Sequence, residues 1–368
     1  MTTQRAVITL GNGQLGLMLG KAAKKLGIPF SALSLTDAWT WLNDTVPGGD
    51  LVTFEQEFVD ETLLAAVQAK GVASFPSWKN FLLLKSKRAQ KKFLSESKIP
   101  TAPFLLLDVW TPEADKMAAK GAVLKAGQGG YDGKGVWVLD AQGRTKSGEH
   151  ARDLLAKIRE PYLEERIAFT CEAAAVVCRS TTGEIELYPT VRSIQQDGIC
   201  YQVEYTREFA ASAVGLKAGA VARKIAEELN YVGVLAVECF VRGEEVLVNE
   251  IAPRVHNSGH FTIDVCAGSQ FENHLRAGLG LKLEATKPTH PAALMVNLLW
   301  PAAEKEFAPL FTRLTCGPDW PENAKLHWYG KLEARPNRKM GHFTVYGNTL
   351  SECQITAEQL LASRWSKG

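Results

Sequence analysis

The sequence predicts an α/β protein that starts with a Rossmann-like parallel sheet, continues as a mixed α+β domain and ends in a small β-rich domain. Three observations predict this order. A strand, a glycine turn and a helix follow one another within residues 6–27. Two apolar strands joined by a tight turn occupy residues 233–251, and a proline-rich segment at 286–291 precedes a β-rich tail. We therefore expect domains at residues 1–98, 99–286 and 287–368.

The overall composition excludes several classes of protein. Of the 368 residues, 46% are hydrophobic and 22% are charged, which is ordinary for a globular protein of two or three domains. The net charge of +2 favours neither a nucleic-acid groove nor a polybasic membrane surface. The seven cysteines have no metal-site or disulfide spacing, and neither a signal peptide nor a membrane-spanning run is evident. We therefore expect a cytoplasmic protein with no nucleic-acid or membrane partner.

The first domain has a β-α-β pattern, which predicts a parallel sheet covered by helices. The apolar run 6–10 ends at Gly11 and predicts a buried strand. Residues 14–26 have helical spacing, with Gly27 as the stop signal. Further elements are expected as strands at 29–35 and 50–54 and helices at 60–69 and 80–96. The basic run 85–92 first suggests the solvated face of the last of these helices.

The rest of the chain alternates between short strands and helices. Pro100 and Pro103 mark the start of the second domain, where short strands and glycine turns run from 104 to 140. Strands are expected within 162–179 and at 233–241, 245–251 and several places within 292–350. Helices are expected at 151–159, 218–230, 268–280 and 355–364.

A glycine-rich turn, Gly11 to Gly16, follows the first strand with the pattern G-x-G-x-x-G. Such glycines let backbone amides approach a phosphate at a helix N-terminus. Asp37 lies about twenty residues beyond the turn, where a dinucleotide-binding fold keeps its ribose-binding acid. The turn alone leaves three interpretations open: a dinucleotide, another phosphate, or packing of the helix on the strand.

A second glycine loop, from Lys125 to Val136, lies between two apolar strands. A loop of this kind can fold its amides over a polyphosphate, and Lys125 adds a positive charge nearby. It does not match the P-loop pattern, because no Ser or Thr follows a terminal Gly-Lys. A flexible hairpin would explain the glycines but not the charged and aromatic residues among them.

The hairpin from Glu238 to Glu250 places two acids in apolar strands. If its turn centres on Glu244, residues equidistant from the turn face one another, and Glu238 lies opposite Glu250. Opposed carboxylates repel in a sheet, but a divalent cation would make the pair favourable. Asn249 points to the other face unless a bulge redirects it. The alternative, a solvent-facing pair, is disfavoured because apolar neighbours imply burial on both faces.

Two polar segments suggest sites for anions. The run 249–260 combines a carboxylate, an amide, a guanidinium, an imidazole and a hydroxyl, which suits a metal ion at one end and a small anion at the other. In the segment 327–342, four basic residues lie in a loop with glycine and proline. This loop suits an anionic ligand, although a solvated loop is a serious alternative.

Taken together, these motifs resemble the ATP-grasp superfamily and, more narrowly, the N5-carboxyaminoimidazole ribonucleotide synthetases. The resemblance covers nearly the whole chain and rests on GNGQLG at 11–16, GGYDGKG at 129–135, QDG at 196–198, YVGVLAVECF at 231–240, NEIAPRVHNSGH at 249–260 and HWYGK with RKMGH at 327–342. It implies a central ATP-grasp domain with a mobile lid at about 104–164. It also implies ATP-dependent carboxylation of 5-aminoimidazole ribonucleotide with bicarbonate, through carboxyphosphate, in de novo purine biosynthesis.

The resemblance also implies roles for individual residues. Catalytic roles fall on Asp132, Arg254, His256, Asn257 and Ser258, with Asp132 and His256 as alternative bases for the substrate amine. Mg²⁺, as two ions with Mn²⁺ as an alternative, would bind Glu238 and Glu250. ATP would meet Lys87, Lys125, Gly130, Tyr131, Asp132, Gly133, Lys134, Gly135, Val136, Glu164, Glu165, Arg166, Ile167, Glu172, Gln195, Asn249 and Glu250. The ribonucleotide would meet Gly13, Gln14, Leu15, Tyr131, Asp132, Lys134, Lys331 and Arg338.

Two other enzyme classes compete with this interpretation. A formate-dependent glycinamide ribonucleotide transformylase of the ATP-grasp type would share the N-terminal turn and the hairpin acids. A nicotinamide-dependent dehydrogenase would use the turn at 11–16 and Asp37. The HNSGH run and the C-terminal basic loop favour the carboxylating enzyme, for which the resemblance implies a homodimer and no NAD at the glycine turn.

Overall fold

The computed structural model describes residues 5–44, 50–130, 133–300 and 320–365, apart from residues 332 and 334. Strands of the described chain are β1 (Val7–Leu10), β2 (Phe30–Leu33), β3 (Leu51–Phe54), β4 (Ala73–Ser74), β5 (Phe104–Leu106), β6 (Ala122–Lys125), β7 (Val136–Leu139), β8 (Tyr162–Glu165), β9 (Cys171–Arg179), β10 (Ile185–Leu187), β11 (Val191–Gln196), β12 (Ile199–Thr206), β13 (Gly233–Arg242), β14 (Glu245–Ala252), β15 (Ala292–Leu299), β16 (Ala324–Trp328) and β17 (Lys339–Gly347). They form three sheets within the described residues.

The helices cover the faces of these sheets. They are α1 (Gln14–Leu26), α2 (Leu35–Asp44), α3 (Glu61–Ala69), α4 (Trp78–Leu84), α5 (Lys87–Glu96), α6 (Pro112–Ala119), α7 (Ala151–Leu154), α8 (Arg207–Ala211), α9 (Ala213–Glu228), α10 (Thr262–Val265), α11 (Gln270–Leu279) and α12 (Leu350–Leu360). Among the described helices, none combines the length and the apolar character needed to cross a membrane.

The N-terminal sheet is parallel, as predicted. Its strand order is β2-β1-β3-β4, and β1 pairs with both β2 and β3. Helix α1 has the predicted bounds and ends at Gly27, whose φ of 67° is the left-handed conformation that glycine adopts most easily. Helix α2 was not predicted. It begins after Ser34, whose hydroxyl accepts from the Asp37 N–H at 3.1 Å and donates to the Asp37 carboxylate at 2.6 Å.

Other helix predictions also differ from the structure. Helices α8 and α10 were not predicted, and α9 starts at Ala213 although residue 218 was expected. The helix expected at 80–96 is two helices, because Ser86 caps a new N-terminus by accepting from the Ala89 N–H. Helix α6 was missed, although Thr111 and Pro112 are a helix-start signal. Helix α12 starts earlier than the predicted residue 355, because a capping box fixes its N-terminus at Thr349.

The largest sheet runs through the predicted second and third domains. Its strand order is β14-β13-β9-β11-β12-β15-β17-β16, with β10 paired to β9. Strands β10, β11 and β12 were not predicted. The C-terminal strand β15 pairs with β12 from Gln202↔Val296 to Thr206↔Ala292. The polypeptide therefore leaves the central region at the proline-rich segment but stays within one hydrogen-bonded sheet.

Two helices pack on opposite faces of this sheet. Helix α9 packs on the face that carries Val177, Leu235 and Val237. Helix α11 packs on the face that carries Cys178, Val234 and Ala236, where it also meets α1 of the N-terminal domain. Since side chains alternate along a strand, the next positions on the α11 face are Glu238 and Phe240 of β13.

A third, four-stranded sheet lies within the predicted lid region. Its strand order is β5-β8-β6-β7, and its strand pairs are antiparallel. Helices α6 and α7 supply Ala114, Ala151 and Leu154 to its apolar core. Lys125 of β6 pairs with Tyr162 of β8, and Val123 pairs with Glu164, so Lys125 and Glu164 lie diagonally on one face of this small sheet. Two predicted nucleotide contacts therefore lie on one unit.

His274 on α11 connects the large sheet to the N-terminal sheet. Its Nδ1 accepts from the Val234 N–H at 2.9 Å, and its Nε2 lies 2.7 Å from Thr53 Oγ1. The ring is therefore neutral, with its proton on Nε2. A Cβ at Gly233 would lie 2.9 Å from this ring, so glycine is needed there.

We expect His274 to make the protein less stable in acid. Burial lowers the pKa of His274 to about 3, whereas the unfolded chain titrates at about 6.5. The unfolded state therefore binds the proton first, and stability falls as the pH decreases from about 6.5 towards 3. Urea unfolding at about pH 7.5 and 4.5 should show a loss of roughly 2 kcal/mol that His274→Gln lacks. Equal pH slopes for the two proteins would contradict this assignment.

Candidate active site

The hairpin β13–β14 brings Glu238 and Glu250 directly opposite one another, as predicted. The predicted turn is wrong in detail. The turn contains two residues, Gly243 and Glu244, and Gly243 has the positive φ (60°) typical of the first position in a type II′ turn. Beyond the turn, Cys239 pairs with Val248 and Glu238 with Glu250, so Asn249 is an extra residue on β14. This bulge restores the register that pairs the two acids.

The bulge also redirects the amide of Asn249 into the site. Its Oδ1 accepts from Lys125 Nζ at 2.9 Å. Strict alternation would have turned this side chain to the opposite face of the sheet from Glu250. The site therefore receives two adjacent oxygen-bearing side chains from one strand.

A third acid, Glu172 on β9, faces the same side of the sheet. It pairs with Phe240, and Glu238 pairs with Ala174 two positions along β9. Burial, followed by the charges of Glu250 and Glu172, raises the pKa of Glu238 to about 7. Burial also raises the pKa of Glu172. A divalent cation between Glu238 and Glu250 would relieve this repulsion, so the donor set fits Mg²⁺ completed by phosphate oxygens.

Lys87 lies at the N-terminus of α5 and pairs with Glu250 at 2.7 Å. Burial alone would lower its pKa, but the charge and hydrogen bond of Glu250 raise it. The Lys87 N–H also donates to the Gly127 carbonyl at 2.8 Å, which fixes the start of the glycine loop. Two lysines of the basic run therefore point inwards: Lys87 reaches Glu250, and Lys91 pairs with Glu164.

The described part of the glycine loop packs closely against its surroundings. A Cβ at Gly127 would overlap Glu160, which also accepts hydrogen bonds from Gln128 at 2.7 Å and from Ser86. A Cβ at Gly133, where φ is 77°, would lie 2.9 Å from the Asp197 carbonyl in the β11–β12 turn. The same turn is close to Gln195, whose amide donates to Ser193 at 2.9 Å. Of the predicted loop residues, Tyr131 and Asp132 lie outside the described residues.

The predicted adenine-binding residues form two environments. The carboxylate of Glu164 is buried between Lys125 and Lys91. Burial disfavours its charge, but the two lysines together lower its pKa. The backbone N–H groups of Glu165 and Arg166 donate to Pro103 and Gly121. Ile167 instead joins a small apolar cluster with Ala102, Leu247 and Phe240, and Phe169 stacks on Phe240 at 4.9 Å.

The anion-binding loop follows β14. Arg254 Nε lies 2.9 Å from the Glu57 carboxylate, and Arg254 Nη1 donates a hydrogen bond to the carbonyl of Val255. Burial opposes the guanidinium charge, but Glu57 outweighs this and raises the pKa of Arg254. Within the described residues, the buried Oδ1 of Asn257 has no hydrogen-bond partner. The loop thus contains a guanidinium fixed by Glu57 and a buried amide oxygen without a protein partner.

His256 is neutral and has a defined tautomer. Burial, together with the charges of Arg254 and Lys339, lowers its pKa well below 6.5. Its Nδ1 accepts from the Ser258 N–H at 3.4 Å and lies 3.0 Å from the Ser258 hydroxyl. The ring proton is therefore on Nε2, which faces Glu238 at 3.8 Å.

The first glycine turn is filled by an acid of the protein itself. Glu55, at the end of β3, accepts from the Gly13 N–H at 2.6 Å, and the amides of Leu15 and Gly16 also point to its carboxylate. Burial raises the pKa of Glu55, and these amides offset part of the effect. The carboxylate occupies the position that a pyrophosphate would take at this turn. This geometry argues against the dehydrogenase alternative.

The predicted ribonucleotide residues are partly brought together. Lys331 Nζ donates to Gln14 Oε1 at 2.9 Å and to the Lys339 carbonyl at 2.6 Å. The basic C-terminal loop therefore meets the N-terminal turn across 317 positions of the sequence. Arg338 instead donates to the Glu333 carbonyl at 2.6 Å, within its own loop.

Sequence reasoning missed several residues of this site. Glu55 and Glu57 follow β3 in the run FEQEF, and a pair of acids after a parallel strand could have marked the carboxyl edge of the sheet. Phe240 was assigned only to a strand. Lys339 was passed over within the basic loop, although its charge acts on Glu238, His256 and His260.

Comparisons with known proteins identify the family of this chain. A family model for the ATP-grasp domain matches residues 92–271, and one for the phosphoribosylaminoimidazole carboxylase C-terminal domain matches residues 293–356. The N5-carboxyaminoimidazole ribonucleotide synthase of Synechococcus elongatus is 35% identical and aligns over 96% of this chain and 93% of its own. The enzyme of that name from Escherichia coli is 33% identical, with 97% and 94% covered.

A solved structure gives the same answer for the fold. The carboxyaminoimidazole ribonucleotide synthase of Aspergillus clavatus, complexed with ATP, has a TM-score of 0.84 and 32% identity and covers 98% of both chains. These relatives are 32–35% identical to the chain, and their alignments cover 96–98% of it. The chain belongs to the N5-carboxyaminoimidazole ribonucleotide synthase family of ATP-grasp proteins.

Proposed function

We propose that this chain is an ATP-grasp ligase that carboxylates 5-aminoimidazole ribonucleotide with bicarbonate, releasing ADP and phosphate, in purine biosynthesis. One observation carries the proposal. The acids Glu238 and Glu250, the nucleotide-side Lys125 and the anion loop at Arg254 converge on a single sheet face. A relative from Aspergillus clavatus that was solved with ADP and 5-aminoimidazole ribonucleotide, at 31% identity and a TM-score of 0.83, supports the substrate assignment.

ATP would lie between the small lid sheet and the large sheet. The apolar cluster of Ile167, Leu247 and Phe240 suits an adenine ring, and Glu172 on the neighbouring strand suits the ribose hydroxyls. Lys125 and the amides of the glycine loop would meet the phosphates. Glu238 and Glu250 would hold Mg²⁺, which neutralises charge on the transferring phosphoryl group when bound.

Bicarbonate would bind at the loop after β14. The guanidinium of Arg254, held by Glu57, would orient an oxygen of bicarbonate towards the γ-phosphorus. That oxygen forms a bond to phosphorus as the bond to ADP breaks, which gives carboxyphosphate. Closure of the 127–135 loop would exclude water from this labile mixed anhydride.

The second step joins the carboxyl carbon to the substrate amine. The amine nitrogen attacks carboxyphosphate, the carbon–oxygen bond to phosphate breaks, and the amine proton goes to a base. His256 carries its own proton on the nitrogen that faces Glu238, so we assign it as a hydrogen-bond donor to the anion. Asp132, expected from the sequence, is then the remaining candidate for the base.

The ribonucleotide would bind where the C-terminal loop meets the N-terminal turn. Lys331 and Gln14 provide an ammonium and an amide at that meeting point, which suits a phosphorylated sugar. Since Glu55 already holds the amides of Gly13 and Leu15, the side chain of Gln14 is the more available contact of the turn. The homodimer and the cytoplasmic location expected from the sequence remain predictions.

The reaction itself tests the proposal. ADP release by the full chain should require ATP and bicarbonate and should rise strongly when 5-aminoimidazole ribonucleotide is added. A coupled assay for ADP, with mass spectrometry of the ribonucleotide product, measures both outputs. Turnover with formate and glycinamide ribonucleotide in place of these substrates would instead support the transformylase alternative.

Glu250→Gln should abolish ATP turnover, by at least about 100-fold, because the amide cannot replace a metal-binding carboxylate. The thermal midpoint should change little, since the substitution also removes the repulsion with Glu238. Glu245→Gln on the same strand is the control, because Glu245 is exposed and pairs only with Arg242 in the described residues. Near-normal turnover by Glu250→Gln would refute the metal assignment.

Lys331→Ala should raise the KM for the ribonucleotide by about 10-fold or more while the KM for ATP changes little. The physical reason is the loss of one ammonium on the side of the site formed by Gln14 and the C-terminal loop. Lys325→Ala, at an exposed position of β16, is the matched control. Equal increases in the two KM values would place Lys331 elsewhere.

A further inference from the structure

A second lysine of helix α5, Lys91, is buried beside the nucleotide site and has no role in the reaction described above. Its side chain is 1% exposed, and it lies one helical turn after Lys87. An ammonium is rarely buried unless its charge and its hydrogen bonds are satisfied. The side chain of the next residue, Lys92, is 69% exposed, so lysines of this basic run can reach solvent and the burial of Lys91 needs its own explanation.

Three segments of the chain meet at the ammonium of Lys91. It pairs with the buried carboxylate of Glu164 on the lid sheet. It donates to Thr101 Oγ1 at 2.6 Å and to the Val248 carbonyl at 3.3 Å. Val248 is the residue before the Asn249 bulge, so Lys91 ties the lid sheet to the strand that carries the metal-site residues.

The contact continues to the nucleotide side of the site. The other oxygen of Glu164 pairs with Lys125, and Lys125 donates to Asn249 at 2.9 Å. A linked series therefore runs from Lys91 through Glu164 and Lys125 to Asn249. Its two ends are fixed on neighbouring residues of β14, since Lys91 holds Val248 and Lys125 holds Asn249.

The charges in this series are unequal. Within the series, two ammonium groups share the one carboxylate of Glu164, so this carboxylate cannot neutralise both lysines. Of the two lysines, Lys125 is the one nearer to solvent, because its side chain is 12% exposed and that of Lys91 is 1% exposed. Without Lys91, Glu164 and Lys125 would form a one-to-one pair, and the charge of Lys125 would be largely neutralised.

We propose that Lys91 is a positioning residue for ATP phosphates. Lys91 partly neutralises the carboxylate of Glu164 and holds it in place. Glu164 can then orient Lys125 without fully neutralising it, so Lys125 keeps positive charge to bind a polyphosphate. The inference rests on the proposed use of Lys125 as a phosphate contact. Helix α5 would then supply two lysines to the site: Lys87, which pairs with Glu250, and Lys91, which positions Glu164.

Binding measurements separate this role from a purely structural one. The full chain and its Lys91→Met variant would be titrated with a non-hydrolysable ATP analogue and, separately, with adenosine. We expect the Kd for the analogue to rise about 10-fold or more and the Kd for adenosine to stay within about twofold, because only phosphates meet Lys125. Lys92→Met, at the exposed neighbour, should change neither value.

Steady-state kinetics should show the same selectivity. The KM for ATP should increase in Lys91→Met, whereas the KM for the ribonucleotide should not. In Lys91→Met/Glu164→Gln, the carboxylate that would neutralise Lys125 is also gone, so part of the affinity for the analogue should return. This double variant also keeps the test usable if a lone buried Glu164 prevents Lys91→Met from folding.

Two results would overturn the inference. One is an equal loss of analogue and adenosine affinity in Lys91→Met, which would indicate general damage to the pocket. The other is an unchanged affinity for the analogue in a folded variant. Failure of the proposed function is distinct from both, because the unmodified chain would then bind no ATP analogue or would release no ADP with the three substrates.

Discussion

The repulsion between Glu238 and Glu250 is the constraint around which this site is built. A sheet does not ordinarily place two partly buried carboxylates opposite one another, and burial followed by repulsion from Glu250 raises the pKa of Glu238 to about 7. Each neighbouring feature compensates for it in part. Lys87 binds Glu250, the neutral His256 presents its N–H side to Glu238, and a cation would complete the balance. The protein thus maintains an unfavourable charge arrangement that a bound cation would relieve.

Helix α5 supplies two lysines that pair with acids at different depths of the same site. Residues four apart lie on one face of a helix, so Lys87 and Lys91 point in the same direction at different depths. The shallower lysine pairs with Glu250, one of the two opposed acids of the hairpin. The deeper one pairs with Glu164, whose carboxylate also pairs with Lys125. Both ion pairs, Lys87 with Glu250 and Lys91 with Glu164, therefore depend on the helix that starts after its N-cap residue Ser86.

The sequence was most informative where local rules decide the structure. Gly27 ends α1 where predicted, and the opposed acids of the hairpin could be read from strand spacing. The pairing of Glu238 with Glu250 was predicted correctly, but the predicted turn centred on Glu244 was wrong. A two-residue turn together with a bulge at Asn249 gives the same pairing. The pairing of Glu164 with Lys91 was beyond reach, since nothing in either segment encodes contact with the other. Such ion pairs depend on which distant segments pack together in the folded protein. The periodicity of a segment indicates only which face of its own helix or strand is apolar.

The continuity of the large sheet has a consequence for how this chain can be divided. Among the described strands, β15 is the one that pairs with the outer edge of β12, from Gln202 to Thr206, and it arrives from beyond the proline-rich segment. A protein cut at the predicted boundary near residue 286 would leave this part of β12 as a bare strand edge. Such an edge is a template for pairing with other chains. The C-terminal segment therefore protects an edge of the ATP-grasp region as well as carrying basic residues, because both belong to one hydrogen-bonded sheet.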